Sequence, residues 1–306
     1  MVISYGEFDD TPRTPVCPRH PDRAAYVRCQ RCGRPACPDC QRQAAVGIQC
    51  VDCVATAKKA ARPAKTALGG RARIDEGPKA YLVTYTLIGI CVAMFVLQLA
   101  VPGFTELFYF EAGDALSQPW RFLTAAFLHS TSFYGHILFN MYALYISGSF
   151  LEPVLGRARF VALCLLSAVG GSVGVALLTS PLLLVYVPTG ELYWWWGPPV
   201  VGASGMVFGL FGAMVAVLRR FGANYAQMIV LIAINTVIGF AVPGIAWQAH
   251  LGGLAVGFAI GWGFSHATRE RQKTFGWLLP VSMSVLLLAV TLVRFAFTPT
   301  GLASWV

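Results

Sequence analysis

The sequence predicts an all-α polytopic membrane protein, a bundle of seven helices behind a small, cysteine-rich N-terminal domain. Three observations carry this. Seven apolar segments are each long enough to cross a hydrocarbon core, which takes about 20 residues of helix. Of the 306 residues, 56% are hydrophobic and only 12% are charged, far from a soluble globular profile. The polar content is also lopsided: residues 1–79 hold 14 of the 23 Lys/Arg and 8 of the 14 Asp/Glu, and seven of the nine cysteines fall within residues 17–53.

The apolar segments lie at 81–101, 135–151, 160–179, 202–218, 226–242, 247–265 and 275–296. Backbone amides cannot stay unpaired in lipid, so each is read as a helix. The chain then divides into a cysteine-rich domain (1–54), a basic linker (55–79), a six-helix membrane domain (80–270), and a seventh helix with a tail (271–306). Orientation follows the cations. Lys58, Lys59, Arg62, Lys65, Arg71, Arg73 and Lys79 precede the first helix. Arg157 and Arg159 follow the second, Arg219 and Arg220 the fourth, and Arg269, Arg271 and Lys273 the sixth. All belong to one side, which puts the N-terminus in the cytoplasm and the C-terminus outside; Arg294, near the outer end of the last helix, is an exception. The start of the sequence has no apolar h-region, so the first helix is expected to direct insertion. The net charge of +9 sits largely at helix ends, which argues against a nucleic-acid partner and for the bilayer.

Two outer loops draw comment. The first, 102–134, mixes aromatic and polar residues as an interfacial segment would, and His129 within it reads as an interfacial polar residue, as does His266 at the inner end of the sixth helix. Trp194, Trp195 and Trp196, before the fourth helix, read as an aromatic belt. Cys91 and Cys164, inside helices, read as small packing residues.

Candidate chemistry centres on Gly202-Ala203-Ser204-Gly205. The second, fourth and sixth helices run the same way, so His136, Asn140, Ser204 and His250 fall at similar depth toward the outer face. His136 and Asn140, four apart, share one helix face. A serine hydroxyl becomes a nucleophile when a neutral histidine takes its proton, and the resulting oxyanion needs preorganised donors. Ser204 taken alone reads first as a packing residue, like the Gly253, Gly257 and Gly261 stripe, and Asn140 as interhelical glue. Two histidines inside membrane helices are costly, and together the four favour catalysis. The soluble-hydrolase Gly-x-Ser-x-Gly elbow does not fit, because Met206 occupies its last glycine position. A transporter would need midplane sites on broken helices, often in repeated halves, and no repeat is visible.

"WRFLTAAFLHS", "HILFNMYALY", "GASG" and "AHLGGLAVGF", in that order, resemble the rhomboid intramembrane serine proteases over roughly residues 80–270. The resemblance implies a six-plus-one helix bundle with Ser204 as nucleophile and His250 as general base, a dyad without a carboxylate. His136 and Asn140 would complete the oxyanion hole, Arg121 would be the structural arginine of the first loop, and Glu152 a structural acid. It implies no catalytic cofactor, and substrates that are membrane-spanning segments of other proteins, cut beside small residues in helix-breaking sequence. The membrane expected is a bacterial plasma membrane. Phe208 stands where many bacterial rhomboids have tyrosine, which leaves an aromatic face for the histidine but no phenol. A non-catalytic relative, binding membrane helices without cutting them, is the alternative; such relatives usually lose the serine or the histidine, and both are present.

In the N-terminal domain, "CPRH", "CQRC", "CPDC" and "CVDC" give four ligand pairs: Cys17 and His20, Cys29 and Cys32, Cys37 and Cys40, Cys50 and Cys53. Zinc takes four such ligands, so two closed structural sites are expected rather than disulfides in a cytoplasmic domain. The short gap between the second and third pairs suggests a cross-brace, in which the first and third pairs hold one ion and the second and fourth the other. The pattern resembles a B-box-type zinc finger, which implies a protein partner for this domain.

Overall fold

The computed structural model describes residues 14–44, 46–60, 68, 81–180, 182–186, 192–267 and 271–297, and divides into two compact units, Met1–Pro63 and Ala64–Val306. The predicted linker lies mostly outside the described residues.

The first unit is built from two antiparallel hairpins and a helix. Strand β1 (Val16–Cys17) pairs with β2 (His20–Ala24), and β3 (Gln41–Gln43) with β4 (Ile48–Cys50). Helix α1 (Val51–Ala60) runs directly out of β4. Its buried core consists of Cys17, Cys29, Cys37, Cys40 and Cys50 with Ala25 and Ala36. Small thiols and methyls bury too little apolar surface to hold such a unit alone, so its order depends on what the thiols bind.

In the second unit all seven predicted segments are helical: α2 (Leu82–Ala100), α4 (Gly135–Leu155), α5 (Arg157–Leu178), α6 (Ser204–Arg220), α7 (Ala226–Ala241), α8 (Trp247–His266) and α9 (Gln272–Ala296), with short α3 (Arg121–Thr124) in the first loop. Among the described residues Leu82–Ala100, Arg157–Leu178 and Thr274–Ala296 are long and apolar enough to cross a membrane; α7 is apolar but 16 residues long. Helices α4 and α8 are less apolar because they carry His136, Asn140 and Glu152, or Gln248, His250 and a run of glycines. Helix α6 is the centre, buried without interruption from Gly205 to Val217. An all-round apolar helix is what a bundle core requires.

Glycines set how α8 meets α6. A methyl added at Gly253 would lie 1.9 Å from the Gly205 carbonyl oxygen, and one at Gly257 2.0 Å from that of Gly209. One at Gly261 would lie 2.6 Å from Ala213 Cα. The expected packing stripe therefore brings two parallel backbones into contact at matched four-residue intervals. Glu152 fastens another pair. Its carboxylate, 2% exposed, accepts from the backbone N–H groups of Val83 (3.0 Å) and Thr84 (2.9 Å) and from Thr84 Oγ1 (2.8 Å) at the amino end of α2. A carboxylate there satisfies amides that the helix itself leaves free. Glu152→Ala orphans these donors and is expected to cost about 2–4 kcal/mol, read as a lowered thermal midpoint in detergent.

Three expectations about the loops are corrected. The 180–201 segment contains a hairpin, β5 (Leu182–Tyr186) with β6 (Leu192–Trp195), and Trp196 is not part of an interfacial belt. It is 4% exposed, its ring 5.4 Å from that of Phe295 and under the Arg294 guanidinium. Arg294 in turn donates to the carbonyls of Ala176 (3.2 Å) and Thr179 (3.0 Å). Its place near the end of α9 is explained by capping the C-terminus of α5, where free carbonyls attract a cation. His129 is not interfacial either: it is 1% exposed, its ring edge-on to His136 at 5.2 Å. The first loop packs inward, with Phe110, Ala125 and Phe122 joining Val175, Ala176 and Ala249. Cys91 and Cys164 are buried packing residues, and His266 is exposed, stacked on Trp262 at 4.1 Å.

Candidate active site and zinc clusters

Ser204 is the first residue of α6, half-buried, preceded by a segment pinned on both sides. Val200 exchanges two backbone hydrogen bonds with Phe110 (2.8 and 3.0 Å), and the Gly202 N–H donates to the Ala125 carbonyl at 3.0 Å. Gly202 has φ +134°, and a methyl there would stand 2.7 Å from His136 Nε2 and 3.8 Å from Ser204 Oγ. Only glycine fits such a turn against that ring. Because Ala203 supplies no side-chain cap, the backbone N–H of Ser204 opens the helix without an internal partner. The positive end of the α6 dipole thus lies beside the hydroxyl.

His136 faces the same turn from α4. The Ser130 backbone N–H donates to its Nδ1 at 3.2 Å. A backbone amide can only donate, so in the neutral ring the proton resides on Nε2, the nitrogen nearest Gly202. Asn140, 7% exposed, sits one turn on and donates one amide hydrogen to the His136 carbonyl at 2.8 Å, leaving its second hydrogen. His250 is 9% exposed and stacks on Phe208, ring centroids 4.1 Å apart and planes 11° apart. Phe208 is one turn after Ser204, so the stacking holds the imidazole along the face of α6 that carries the hydroxyl. The matched stripe just described fixes the level of the ring. No hydrogen bond joins Ser204 Oγ and His250 among the described residues; such bonds are commonly loose before substrate binds. Arg121, 6% exposed, knits the first loop, donating to the Glu106 carbonyl at 2.7 Å and lying over Tyr109 at 4.6 Å.

Residues 116–267 match the Rhomboid domain family, and residues 12–44 match the B-box zinc finger. Over 156 residues the chain is 33% identical to the putative rhomboid protease YdcA of Bacillus subtilis, covering 49% of this chain and 70% of that protein. The chain belongs to the rhomboid family. It is also 33% identical over 190 residues to the rhomboid protease GluP of Bacillus subtilis, which covers 57% of this chain but 33% of that protein. With RHOMBOID-like protein 1 of Arabidopsis thaliana the identity is 30% over 196 residues, 56% of this chain and 46% of the relative. The chain thus spans between a third and seven tenths of these relatives. The matched rhomboid domain contains Arg121, His136, Asn140, Ser204 and His250. It is an integral membrane protein.

In the N-terminal unit two quartets form, Cys17, His20, Cys37 and Cys40, and Cys29, Cys32, Cys50 and Cys53, with ligand atoms within 4.8 Å of one another in each. This is the cross-braced pairing expected from the spacing. His20 Nδ1 lies 3.9, 3.3 and 3.4 Å from the sulfurs of Cys17, Cys37 and Cys40, and the sulfurs of Cys32 and Cys50 are 3.7 Å apart. A tetrahedron with zinc–sulfur bonds of about 2.3 Å and zinc–nitrogen bonds of about 2.0 Å has edges of roughly 3.5–3.8 Å, so the donors fit structural zinc. Thiol ionisation is divided within each quartet. The Cys50 backbone N–H, 3.2 Å from Cys29 Sγ, holds Cys29 down to about 6, whereas the hydrogen bond with Cys32 pushes Cys53 up to about 12. Crowded thiols share protons until a cation takes the thiolates. The B-box match ends before Cys50 and Cys53, so the second quartet takes two ligands from beyond it.

Proposed function

We propose that this protein is an intramembrane serine endopeptidase that cuts membrane-spanning segments of other proteins. The observation that carries the reading is the convergence on one turn of Ser204 at the mouth of α6, the His250 ring stacked along the same helix face, and His136 Nε2 beside Gly202. Ser204 Oγ attacks the scissile carbonyl while its proton passes to His250 Nε2. The Ser204 backbone N–H, His136 Nε2–H and the free Asn140 amide hydrogen receive the oxyanion. Collapse expels the amine, which takes the proton from His250, and water then hydrolyses the Ser204 ester with His250 again as base.

An intact helix hides its carbonyls in internal hydrogen bonds, so substrates with helix-breaking sequence and small residues at the cut fit such a site. Among the described side chains of α7 only Gly239 is buried, and this lightly packed helix would move aside to admit them. The zinc-binding unit and N-terminus face the cytoplasm, and the site opens on the outer face. Two structural zinc ions occupy the quartets, and the domain they hold binds a protein partner.

The test is cleavage of a single-span model protein with a helix-breaking, small-residue segment, co-reconstituted in liposomes. One cut within or beside the span supports the reading; association without any cut makes the protein a binder. Within this reading His136→Ala removes one donor to the oxyanion and is expected to lower kcat by about 10²–10³-fold with little change in KM.

A further inference from the structure

Four arginines of the membrane unit find oxygen within the protein. Arg121 donates to the Glu106 carbonyl, Arg159 to that of Leu68, and Arg294 to those of Ala176 and Thr179, while Arg157 Nε stands 3.8 Å from the Glu152 carboxylate. Arg219 and Arg220, the last two residues of α6, are exposed and differ. No acidic residue occurs between Glu191 and Glu270, so α6, α7 and α8 offer them no carboxylate. Glu270 is itself flanked by Arg269, Arg271 and Lys273. What Arg219 does meet is a ring: its Cζ lies 5.6 Å from the centroid of Trp262 on α8. That contact favours the charge but gives the guanidinium N–H donors no oxygen.

Trp262 belongs to a ladder. Phe258, Trp262 and His266 follow one another at four-residue spacing on α8, stacked with centroids 5.9 and 4.1 Å apart. Phe258 is 37% and Trp262 38% exposed, and His266 is exposed too. At 1.5 Å of rise per residue the ladder extends about 12 Å along the helix. Gly205 meets Gly253 and Gly209 meets Gly257; carried on along both helices, this register sets His266 level with Leu218, next to Arg219. The surface therefore runs from an aromatic, apolar part inside the bilayer to a cationic end at its edge. A phospholipid has the same order, from acyl chain to phosphate. Tryptophan favours that boundary, and paired guanidinium groups suit a phosphate. A soluble acidic protein would leave Phe258 uncovered.

We propose that the ends of α6 and α8 hold one anionic phospholipid, its phosphate on Arg219 and Arg220 and an acyl chain along Trp262 and Phe258. The site lies at the end of α6 opposite Ser204 and stands whether or not the protease reading does.

The full chain, purified in detergent and stripped of lipid, is titrated with dioleoyl phosphatidylglycerol or dioleoyl phosphatidylcholine, and native mass spectrometry counts the bound lipid. One phosphatidylglycerol is expected to bind about 10-fold more tightly than phosphatidylcholine, and equimolar glycerol 3-phosphate is expected not to displace it. Each cation beside the phosphate contributes about fivefold, so Arg219→Gln with Arg220→Gln is expected to weaken binding by about 25-fold. Arg31→Gln with Arg42→Gln, exposed positions of the zinc-binding unit, removes the same charge and is expected to leave affinity unchanged. Equal affinity for the two lipids, displacement by glycerol 3-phosphate, or the two double variants within about twofold of each other would each overturn the inference. Should the Arg219 and Arg220 variant not fold, Trp262→Leu decides: it frees Arg219 from its ring and is expected to weaken binding by about 3-fold, and wild-type affinity there overturns the inference.

Discussion

Ser204→Ala is expected to reduce cleavage of a reconstituted membrane substrate by at least about a thousandfold while leaving substrate association intact. In the proposed mechanism the nucleophile is the one group that forms the covalent intermediate. His250→Ala is expected to fall to the same floor, because an alcohol that cannot lose its proton is nearly as inert as none. The double variant is expected to be no worse than either single one: residues that act as a unit lose their effect together. Parallel kcat and KM measurements on the three variants check this. Losses that instead multiplied would mean that the two residues act separately. Residual activity of about 10³-fold over the uncatalysed rate fits a surviving oxyanion cradle of the Ser204 N–H, His136 and Asn140.

Removing metal has the second large effect. The buried centre of the N-terminal unit is its own cysteines, with two alanines between them. Apparent binding energies for structural zinc are about 10–16 kcal/mol, more than such a core supplies. Chelation, or Cys37→Ser for one quartet, is expected to expose residues 14–60 to limited proteolysis. Elemental analysis is expected to give two zinc ions per chain before chelation. Acid acts in the same direction. Zinc holds its cysteines as thiolates and its histidine neutral, so protons compete with the ion for the ligands of each quartet and binding weakens as pH falls. Zinc retention measured from pH 8 to 5 is expected to decline over that range, whereas an acid-stable, protease-resistant apo unit would contradict the metal's structural role.

Most of the fold was legible because membrane helices announce themselves as long apolar runs, and the zinc quartets because ligand spacing is set by a tetrahedron. The polar residues of the proposed site stand out for the same reason: His136, Asn140, Ser204 and His250 are conspicuous inside apolar helices. What escaped depends on contacts between distant segments. Nothing local to His129 tells that the first loop folds inward and buries it against His136. Trp196 and Arg294 are 98 residues apart and explain each other only when α5 and α9 are side by side. The hairpin of β5 and β6 reads, from composition, like any apolar stretch beside a membrane.

The central claim is that one hydroxyl, made reactive by one imidazole, performs the chemistry. Intact-protein and peptide mass spectrometry after fluorophosphonate treatment of the full chain in nanodiscs addresses it directly. The account predicts a single adduct on Ser204 that His250→Ala abolishes. An adduct on another residue, or unmodified Ser204 in protein that still cleaves its substrate, would contradict it.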